Sequence, residues 1–483
     1  MISLSPLFYI IGILLSMFAS AMTIPLVTDF LGDDPNWKAF LLSLILSGTL
    51  GVILFLANKP RHPIELSVRQ AFLLTTLTWG ALCLASSLPF VFSRSTDTYT
   101  DSLFEAVSAI TTTGATILNG LEYSSAGILL WRAILQWLGG IGIIVMALTI
   151  LPVLQIGGMQ LFRSEFSDRS EKILPRVSQI ASALFTVYIG FTLVCIASFW
   201  LAGMTFLEAV CHAMSAISTG GLSTADSSFN YFDDALIEVI AIIFMIIGGS
   251  TLILFVHMFR GDMSSFWKDS QIKVYLWVLF VFIATMTLWK WLHEGLPFTL
   301  ALRKIAFNVV SVMTTCGFAN DDFGHWTGFP LLAIFMLMFV GGCTGSTAGG
   351  IKIFRFQIIY ALAKSQIYRL RHPHGVFIPT YNGQPIREGI FDSIFTFFAL
   401  YGGVVVLLII GLSFYELDFI TCLSSVIACV GNVGPGIGDV VGPSANYASL
   451  PDGVKWLLML GMILGRLEFM TVLIIATPAF WRR

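Results

Sequence analysis

Charged residues are scarce in this chain. Lys, Arg, Asp and Glu make up 11% of its 483 residues, whereas hydrophobic residues make up 56% and the mean hydropathy is +0.86. A soluble domain carries about 25% charged residues, so the composition excludes a chain folded in water alone. The net charge of -2 also excludes the basic excess that binds nucleic acid. The sequence therefore predicts an all-α integral membrane protein.

Two further signals are missing. No two cysteines have the C-x-x-C spacing of a zinc or redox site. No Lys or Arg precedes Lys38, so the first apolar segment lacks the basic start of a signal peptide and is predicted as the first membrane helix. The cysteines are predicted to be small buried hydrophobic residues, and no covalent cofactor is expected. They are Cys83, Cys195, Cys211, Cys316, Cys343, Cys422 and Cys429.

Long apolar stretches predict about ten transmembrane helices, since about 20 apolar residues cross the hydrocarbon layer. They lie near 8–30, 39–58, 69–92, 127–154, 178–203, 236–259, 274–292, 329–362, 390–413 and 455–480. Four shorter apolar stretches lie near 100–112, 205–218, 300–315 and 417–430. They are too short to cross and predict re-entrant segments.

Basic residues fall on alternate sides of these predicted spans. One side holds most of the 26 Lys and Arg residues, and the positive-inside rule assigns that side to the cytoplasm. Both termini are then cytoplasmic, and all four short segments enter from the outside. The cytoplasmic set comprises Lys59, Arg61, Arg69, Arg163, Arg169, Lys172, Arg176, Arg260, Lys268, Lys273, Lys352, Arg355, Lys364, Arg369, Arg371, Arg387, Arg482 and Arg483.

The four short segments resemble one another and predict an internal fourfold repeat. They read FEAVSAITTTGAT, LEAVCHAMSAISTGGLST, IAFNVVSVMTTCGFA and LSSVIACVGNVGPG, and each ends its apolar run at a glycine: Gly114, Gly220, Gly317 or Gly434. Four units of helix, re-entrant pore loop and helix are predicted to surround a central pore, after two extra N-terminal helices. The predicted boundaries are 1–66 for the extra helices and 67–160, 161–265, 266–380 and 381–483 for the four units.

Four short helices that enter from one side aim their C-terminal ends at the pore axis. The partial negative charge of each end favours a cation there. Backbone carbonyls just past the helices can replace the hydration shell of a potassium-sized ion, and glycine permits the conformations that this requires. The predicted potassium-binding filter consists of the four glycines with Thr112, Thr113, Ser218, Thr219, Thr315, Cys316, Asn432 and Val433.

Several motifs carry a resemblance to a known family. They are TTTGAT, QWLGGIGIIVMALTILPVL after the first short segment, GGCTGSTAGGIK at 341–352, GNVGPG at 431–436 and GRLE at 465–468. Over essentially its whole length the chain resembles the Trk/Ktr/HKT superfamily of cation transporters, and most closely its bacterial TrkH branch.

The resemblance implies uptake of potassium, with rubidium as its surrogate, across the bacterial inner membrane by a homodimer with one pore per protomer. It also implies a cytosolic regulatory ring of TrkA type, whose nucleotide-binding domains respond to NADH, ATP or ADP. In the plant branch, serine at the first filter glycine accompanies sodium transport, so the four glycines here favour potassium. Ser218, and the lack of threonine in the fourth segment, predict an uneven ring of moderate selectivity.

The stretch 341–350 places five glycines inside an apolar span and predicts a broken helix, since each costs about 1 kcal/mol in a helix relative to alanine. Close helix packing through Gly341 and Gly345 is the alternative. By the resemblance, a loop there obstructs the pore and moves on gating, and Arg466 is a pore-facing cation; a structural ion pair is the alternative for Arg466. The predicted gate residues are Gly345, Ser346, Thr347, Gly349, Gly350 and Arg466.

Basic residues after this stretch indicate a contact in the cytosol. Lys352 and Arg355 are either anchors at a helix end or a link from the loop to a partner. The predicted loop 364–388 is the largest basic patch on the predicted inner side and is the candidate docking surface. Its basic residues include Arg369, Arg371, His372 and His374.

Two other function classes stay open. A secondary transporter that couples potassium to protons or sodium also uses broken helices, but usually as two inverted repeats, so four repeats of one sense favour a channel-like pore. An intramembrane hydrolase with Ser346 or Ser218 as nucleophile would need a base within reach, and no histidine lies near Ser346 in the sequence. His212 is predicted to be a satisfied core residue, and no enzymatic activity is expected.

Overall fold

The computed structural model describes residues 3–62, 64, 66–149, 177–386 and 388–482, and these residues are mostly helical. Three helices precede the repeats: α1 (Ser5–Ala21), α2 (Thr23–Leu31) and α3 (Trp37–Ala57). The first unit contains α4 (Val68–Ser93), α5 (Tyr99–Ile110) and α6 (Ala126–Thr149). The second contains α7 (Val177–Leu201), α8 (Phe206–Ser218), α9 (Ala235–Gly249), α10 (Leu252–Phe259) and α11 (Met263–Lys268).

The third and fourth units follow the same order of long helix, short helix and long helix. The third contains α12 (Ser270–His293), α13 (Phe298–Met313), α14 (Phe329–Leu337) and α15 (Ile353–Arg371), followed by strands β1 (Thr380–Tyr381) and β2 (Gln384–Pro385). The fourth contains α16 (Glu388–Ser413), α17 (Phe419–Val430), α18 (Asp452–Arg466), α19 (Phe469–Leu473) and α20 (Pro478–Trp481).

Within the described residues, seven segments are long and apolar enough to cross a membrane, with α1 and α2 counted together, or nine if each of two bent pairs is one span. The bends are 97° between α9 and α10 and 112° between α18 and α19. The predictions of single helices at 236–259 and 455–480 are therefore wrong. The remaining predicted span, 329–362, is divided into α14 and α15, as its glycines predict. Residues 150–154 of another predicted span lie outside the described residues, as do Arg163, Arg169, Lys172, Arg176 and Arg387.

The four short apolar stretches form α5, α8, α13 and α17, here called the short helices. Three of them begin at a side chain that caps the first turn: Thr98 accepts from the backbone N–H of Asp101, Thr205 forms a capping box with Glu208, and Asp418 accepts from Thr421. Such caps satisfy backbone donors that a helix start leaves free. The fourth, α13, follows Pro297 without a side-chain cap. All four are largely buried within the protein.

The N-terminal helices are attached to the first unit at close contacts. A Cβ placed on Gly12 would lie 2.5 Å from the backbone nitrogen of Phe55, so α1 and α3 pack backbone against backbone. Small residues permit this approach between membrane helices. Asp29, only 1% exposed, accepts a hydrogen bond from the backbone N–H of Gly127 near the start of α6. The extra helices thus pack directly against the first repeat.

The stretch 364–388, predicted as a loop, is helical up to Arg371, because α15 continues that far. Lys364, Arg369 and Arg371 are therefore presented on a helix. Strands β1 and β2 then form a short antiparallel hairpin, whose turn residues Asn382 and Gly383 both have positive φ, as a type I′ turn requires. A groove of about 600 Å³ lies between α12, α15 and this hairpin.

Candidate functional site

The four short helices end in the same backbone geometry. Within two residues of each helix end, one residue adopts a left-handed conformation with φ between 52° and 56°: Thr112, Thr219, Thr315 and Asn432. The backbone N–H of the next residue donates to a carbonyl five residues earlier at 2.8–2.9 Å: Thr113 to Ser108, Gly220 to Ser215, Cys316 to Ser311 and Val433 to Ala428. These bonds are those of a Schellman C-cap. In all four repeats the backbone therefore leaves the short helix in the same direction relative to the helix axis.

Past these caps, one glycine from each unit contacts the backbone of the next unit. A Cβ on Gly114 would lie 2.3 Å from the carbonyl oxygen of Gly220, and one on Gly221 would lie 1.9 Å from that of Cys316. The corresponding distances are 2.1 Å from Gly317 to Val433 and 2.6 Å from Gly434 to Thr113. The contacts run from the first unit through the fourth and back to the first. We call this closed arrangement, formed by residues 112–114, 219–221, 315–317 and 432–434, the glycine ring.

The sequence alignment of the second repeat is wrong by one residue. Gly221, with φ of 79°, matches Gly114, Gly317 and Gly434, whose φ values are 83°, 88° and 97°. Gly220, which was predicted for this position, has no positive φ and matches Thr113 instead. Ser218 is the last residue of α8 and its hydroxyl donates to the carbonyl of Ser215. Threonine thus holds the left-handed position in three repeats, and Asn432 holds it in the fourth.

In the glycine ring, a backbone carbonyl of each unit lies against the glycine of the preceding unit, past the C-terminal ends of four helices. Carbonyl rings of this kind can replace the hydration shell of a cation, and the helix ends add partial negative charge. The four units are not equivalent at the ring, because a side chain binds the second of them. Gln136 donates through Nε2 to the carbonyl of Gly220 at 2.5 Å and accepts from the backbone N–H of Leu222. Sequence reasoning gave Gln136 no role, although a glutamine inside an apolar span was the available signal.

A cavity of about 170 Å³ lies against one side of the glycine ring, and we call it the outer cavity, since the positive-inside pattern predicts that this side faces outward. Its lining includes Arg132, which was also not predicted. Arg132 is 1% exposed and pairs at 2.7 Å with the fully buried Glu105 of α5. It also donates to the carbonyl of Ser223 and to the hydroxyl of Thr116. The pair neutralises the arginine and fixes α5 to α6 beside the ring.

An exposed histidine joins the loops of the third and fourth units on this side. His325 Nε2 lies 2.8 Å from Asp439 and Nδ1 lies 3.1 Å from Asp322. A ring that donates from both nitrogens is an imidazolium. The charge of Asp322, followed by the hydrogen bonds to Asp322 and Asp439, raises the pKa of His325 above its ordinary value of 6.5.

The melting temperature of the purified protein is expected to depend on pH through His325. Because the folded pKa is raised, the stabilising contribution is complete below the unfolded pKa near 6.5 and is lost as pH rises through the folded pKa. Between pH 5 and pH 9, the advantage of the wild type over His325→Gln should be largest at acidic pH and vanish at alkaline pH. Asp439→Asn, which removes the charge of one partner, should lose part of the same acidic advantage. An advantage of equal size at every pH would refute the charged pair.

On the other side of the ring, residues 341–350 form a loop between α14 and α15, here called the glycine-rich loop. The backbone N–H groups of Cys343 and Thr347 donate to the carbonyls of Gly249 and Gly248, at 2.8 and 3.2 Å. The carbonyl of Gly345 accepts from Leu252 at 3.1 Å. The loop thus satisfies the backbone groups that the bend between α9 and α10 leaves free, which is what permits a broken helix in a membrane.

The alternative of helix packing through Gly341 and Gly345 is wrong for the described residues. Both glycines lie outside α14 and α15. A Cβ on Gly341 would lie 2.0 Å from the carbonyl oxygen of Gly349, so Gly341 packs against the loop itself. Gly345 and Gly350 have positive φ values of 73° and 63°. The glycines therefore serve the fold of the loop.

Arg466 ends α18 and holds the loop from the opposite side. It is 3% exposed, and it donates through Nη1 to the carbonyl of Thr347 at 2.9 Å and through Nη2 to that of Gly139 at 3.3 Å. In the described part of the chain it has no ion pair, so the structural ion pair does not form. With Lys352 and Glu468 it lines a small cavity of about 40 Å³.

Arg355 is not an interfacial anchor. It is 1% exposed, pairs with Glu468 at 2.7 Å and lies 3.6 Å from the ring centre of Phe397. Lys352, partly buried, donates through Nζ to the carbonyl of Ala348 in the glycine-rich loop. Lys352 therefore contacts the glycine-rich loop, and Arg355 contacts Glu468 at the bend between α18 and α19.

The two serines considered as nucleophiles, and His212, are buried and hydrogen-bonded. The hydroxyl of Ser346 donates to the carbonyl of Cys343, and that of Ser218 to Ser215, so neither has a histidine partner among the described residues. His212 is fully buried, between the carbonyl of Glu208 and the hydroxyl of Ser223, which confirms its prediction as a core residue. All seven cysteines are free and buried, as predicted.

Comparison with known proteins identifies the same architecture elsewhere. A family model described as TrkH, cation transport protein, matches residues 37–483. The Trk system potassium uptake protein TrkI of Halomonas elongata is 42% identical over 480 residues, which cover 99% of this chain and 97% of that protein. The Trk system potassium uptake protein TrkH of Escherichia coli K12 is 35% identical over 478 residues, 98% of each chain. The crystal structure of the potassium transporter TrkH from Vibrio parahaemolyticus superposes with a TM-score of 0.90 at 33% identity, over 100% of both chains.

Proposed function

This chain belongs to the TrkH family of cation transport proteins, and from that premise we propose that it takes up potassium through a channel-like pore. The closed glycine ring carries the proposal. The ring joins four short helix ends, and at its four glycines there is no room for a side chain. Backbone oxygens are then the ligands for an ion, and such oxygens suit a weakly hydrated monovalent cation. The potassium-binding filter then comprises residues 112–114, 219–221, 315–317 and 432–434, with rubidium as a substitute ion.

We further propose that the glycine-rich loop and Arg466 form the gate below this filter. The loop contacts the second and third quadrants of the ring, and Arg466 holds the loop by its Thr347 carbonyl. The gate residues are Gly345, Ser346, Thr347, Gly349, Gly350 and Arg466. The Arg466 guanidinium is buried and has no acidic partner among the described residues. At about 10 Å and an effective dielectric constant near 20, its charge repels a permeating cation by about 1.7 kcal/mol.

The assembly that we propose is a homodimer in the bacterial inner membrane, with both termini in the cytoplasm. The repeat units are those with boundaries at 66, 160, 265 and 380. A cytosolic ring of TrkA type, which binds the nucleotide NADH, ATP or ADP, would dock on the basic end of α15 and the hairpin that follows it. Arg369 and Arg371 lie in the last turn of α15, next to that hairpin.

Ion flux through the purified protein in liposomes tests the proposal. Radioactive rubidium uptake is measured under a set potassium gradient, with and without a pH gradient, and the reversal potential is recorded. A channel-like pore gives a current that reverses at the potassium equilibrium potential whatever the pH gradient. A reversal potential that moves with the pH gradient would instead identify a proton-coupled transporter, and absence of cation flux would refute the function.

A further inference from the structure

Two side chains from outside the glycine ring hold two of its carbonyls. Gln136 of α6 donates through Nε2 to the carbonyl of Gly220 at 2.5 Å, and the hydroxyl of Tyr447 donates to the carbonyl of Gly434 at 2.7 Å. Gln136 is fully buried and Tyr447 is 2% exposed. Because a carbonyl oxygen has two lone pairs, a donor on one of them leaves the other available to an ion. Each of these carbonyls can therefore be held in place and still serve as a ligand.

The amide of Gln136 occupies the space of a side chain that the second unit lacks. Gly220 matches Thr113, Cys316 and Val433 of the other units, which all carry a side chain. A Cβ placed on Gly220 would lie 2.4 Å from the amide carbon of Gln136. The glycine at this position therefore admits a side chain from the neighbouring unit, and that side chain bonds the backbone.

The orientation of the Gln136 amide is fixed by the backbone on which it packs. Its Oε1 accepts from the N–H of Leu222 at 3.3 Å, while its Nε2 donates to Gly220. Rotating the amide by 180° would face oxygen with oxygen and N–H with N–H. Arg132, one turn earlier on the same face of α6, donates to the carbonyl of Ser223 at 2.9 Å. One face of α6 thus fixes the backbone of the second unit at the ring.

Tyr447 of the fourth unit is held in place by the first unit. Its backbone N–H donates to the carbonyl of Thr116 at 2.9 Å, and its ring centre lies 5.5 Å from that of Phe104. Since the contacts of the glycine ring follow the order of the units, the second and fourth units are not neighbours, and the two held carbonyls belong to alternate units. In the first and third units the matching carbonyls accept no hydrogen bond from the described residues; they are those of Thr113, Gly114, Cys316 and Gly317.

We propose that Gln136 and Tyr447 are positioning residues that set the preference of the pore for potassium over sodium. A held carbonyl is restrained from moving inward around a smaller ion, and the donor withdraws part of its negative charge. Both the size and the field strength of a carbonyl ring can govern its choice of ion. Releasing a carbonyl favours the smaller ion, sodium, through either of them. The inference rests on the proposed function, because it assigns the selectivity of that filter to two residues behind it.

The ratio of sodium to potassium permeability tests this role. It is obtained from the reversal potential of liposomes with one salt on each side. Gln136→Met keeps the length of the side chain without its polar atoms, and Tyr447→Phe removes only the hydroxyl. Each variant is expected to raise the ratio by at least about threefold through the loss of its hydrogen bond. A residue that matters only for folding would change the amount of active protein and leave the ratio unchanged, so an active variant with the wild-type ratio would refute the role of its residue.

Two variants of buried side chains outside the ring are matched controls. Tyr188 is fully buried, and its hydroxyl donates to the carbonyl of Trp137 at 3.0 Å. Gln271 is 1% exposed and accepts through Oε1 from the backbone N–H of Thr344 at 3.0 Å. Tyr188→Phe and Gln271→Met remove the same chemical groups without releasing a ring carbonyl, so both should keep the wild-type ratio. An equal rise in the controls and in the ring variants would overturn the proposal.

Variants that fold but do not transport are compared by ion binding in detergent. Potassium chloride or sodium chloride is added, and the rise of melting temperature is compared with that in an equal concentration of choline chloride, since a bound ion stabilises according to its affinity. Potassium should act on the wild type at lower concentration than sodium, and this difference should shrink in Gln136→Met and Tyr447→Phe. An undiminished difference would refute the role of the residue concerned. If the wild type carries no cation in liposomes, it is the proposed function that has failed.

Discussion

Replacing Arg466 with alanine is expected to raise rubidium flux through the purified protein on the order of tenfold. The guanidinium is buried without an acidic partner in the described part of the chain, and repulsion of about 1.7 kcal/mol corresponds to roughly eighteenfold in rate. The substitution also removes the hydrogen bonds to Thr347 and Gly139, and the glycine-rich loop loses one of its attachments. Uptake into liposomes at fixed potassium gradient gives the measurement.

Arg466→Lys separates charge from hydrogen bonding. Lysine keeps the positive charge but lacks the planar fork that reaches two carbonyls at once. If repulsion dominates, Arg466→Lys stays near the wild-type rate; if the hold on the loop dominates, it approaches the rate of Arg466→Ala. Lys364→Ala, at an exposed residue of α15, is the control. Because the assay contains no cytosolic partner, this variant should keep the wild-type rate. Wild-type flux in an intact Arg466→Ala protein would show that Arg466 does not control permeation.

Gly317→Ala is expected to lower flux strongly. The new Cβ would lie 2.1 Å from the carbonyl oxygen of Val433. In addition, the φ of 88° at this position is unfavourable for alanine. The backbone strain alone costs about 1–3 kcal/mol. The steric clash of the new Cβ adds to this cost, and only displacement of the next unit can relieve it. We expect a fall in rubidium uptake of more than about tenfold at equal amounts of protein in the membrane.

Two further alanine variants make this result specific. Gly203 has a φ of 109°, but outside its chain neighbours no described residue has an atom within 4 Å of an added Cβ, so Gly203→Ala carries the backbone strain without the contact and should transport. Gly221→Ala, whose Cβ would lie 1.9 Å from the carbonyl oxygen of Cys316, should fail like Gly317→Ala. Normal flux in Gly221→Ala would contradict the alignment of the second repeat derived from the backbone.

The short helices were predictable because their signals are local. Thr205 with Glu208, and Asp418, are helix starts that the sequence displays, and an apolar run of that length ends at a glycine in each repeat. The break at 341–350 was predictable for the same reason, since consecutive glycines destabilise a helix wherever they stand. The overall repeat could therefore be predicted from composition and spacing.

The bend at Glu468 and the ring alignment could not be predicted in this way. Glu468 interrupts a helix without any proline there. The bend at Ser250 follows Gly248 and Gly249, a local signal that the prediction of a single helix passed over, and it is supported by bonds to a loop almost a hundred residues away. In the second repeat, Gly220 and Gly221 are adjacent, and only φ distinguishes which one occupies the strained position. The partners of Arg466 and Arg355 likewise depend on tertiary contacts that sequence spacing does not encode.

The closed order of contacts in the glycine ring has a consequence for biosynthesis. The last contact joins the fourth unit to the first, where Asn432 also bonds Thr113 across 319 residues of sequence, and Lys455 pairs with Asp101 across 354. Domains of a growing chain insert from the N-terminus onward. A nascent chain that still lacks its fourth unit has an open, three-sided ring without the ligands of a selective site. We expect the ion path to be completed only when the final helices have inserted. An incomplete nascent chain therefore should not form a complete conduction path through the membrane.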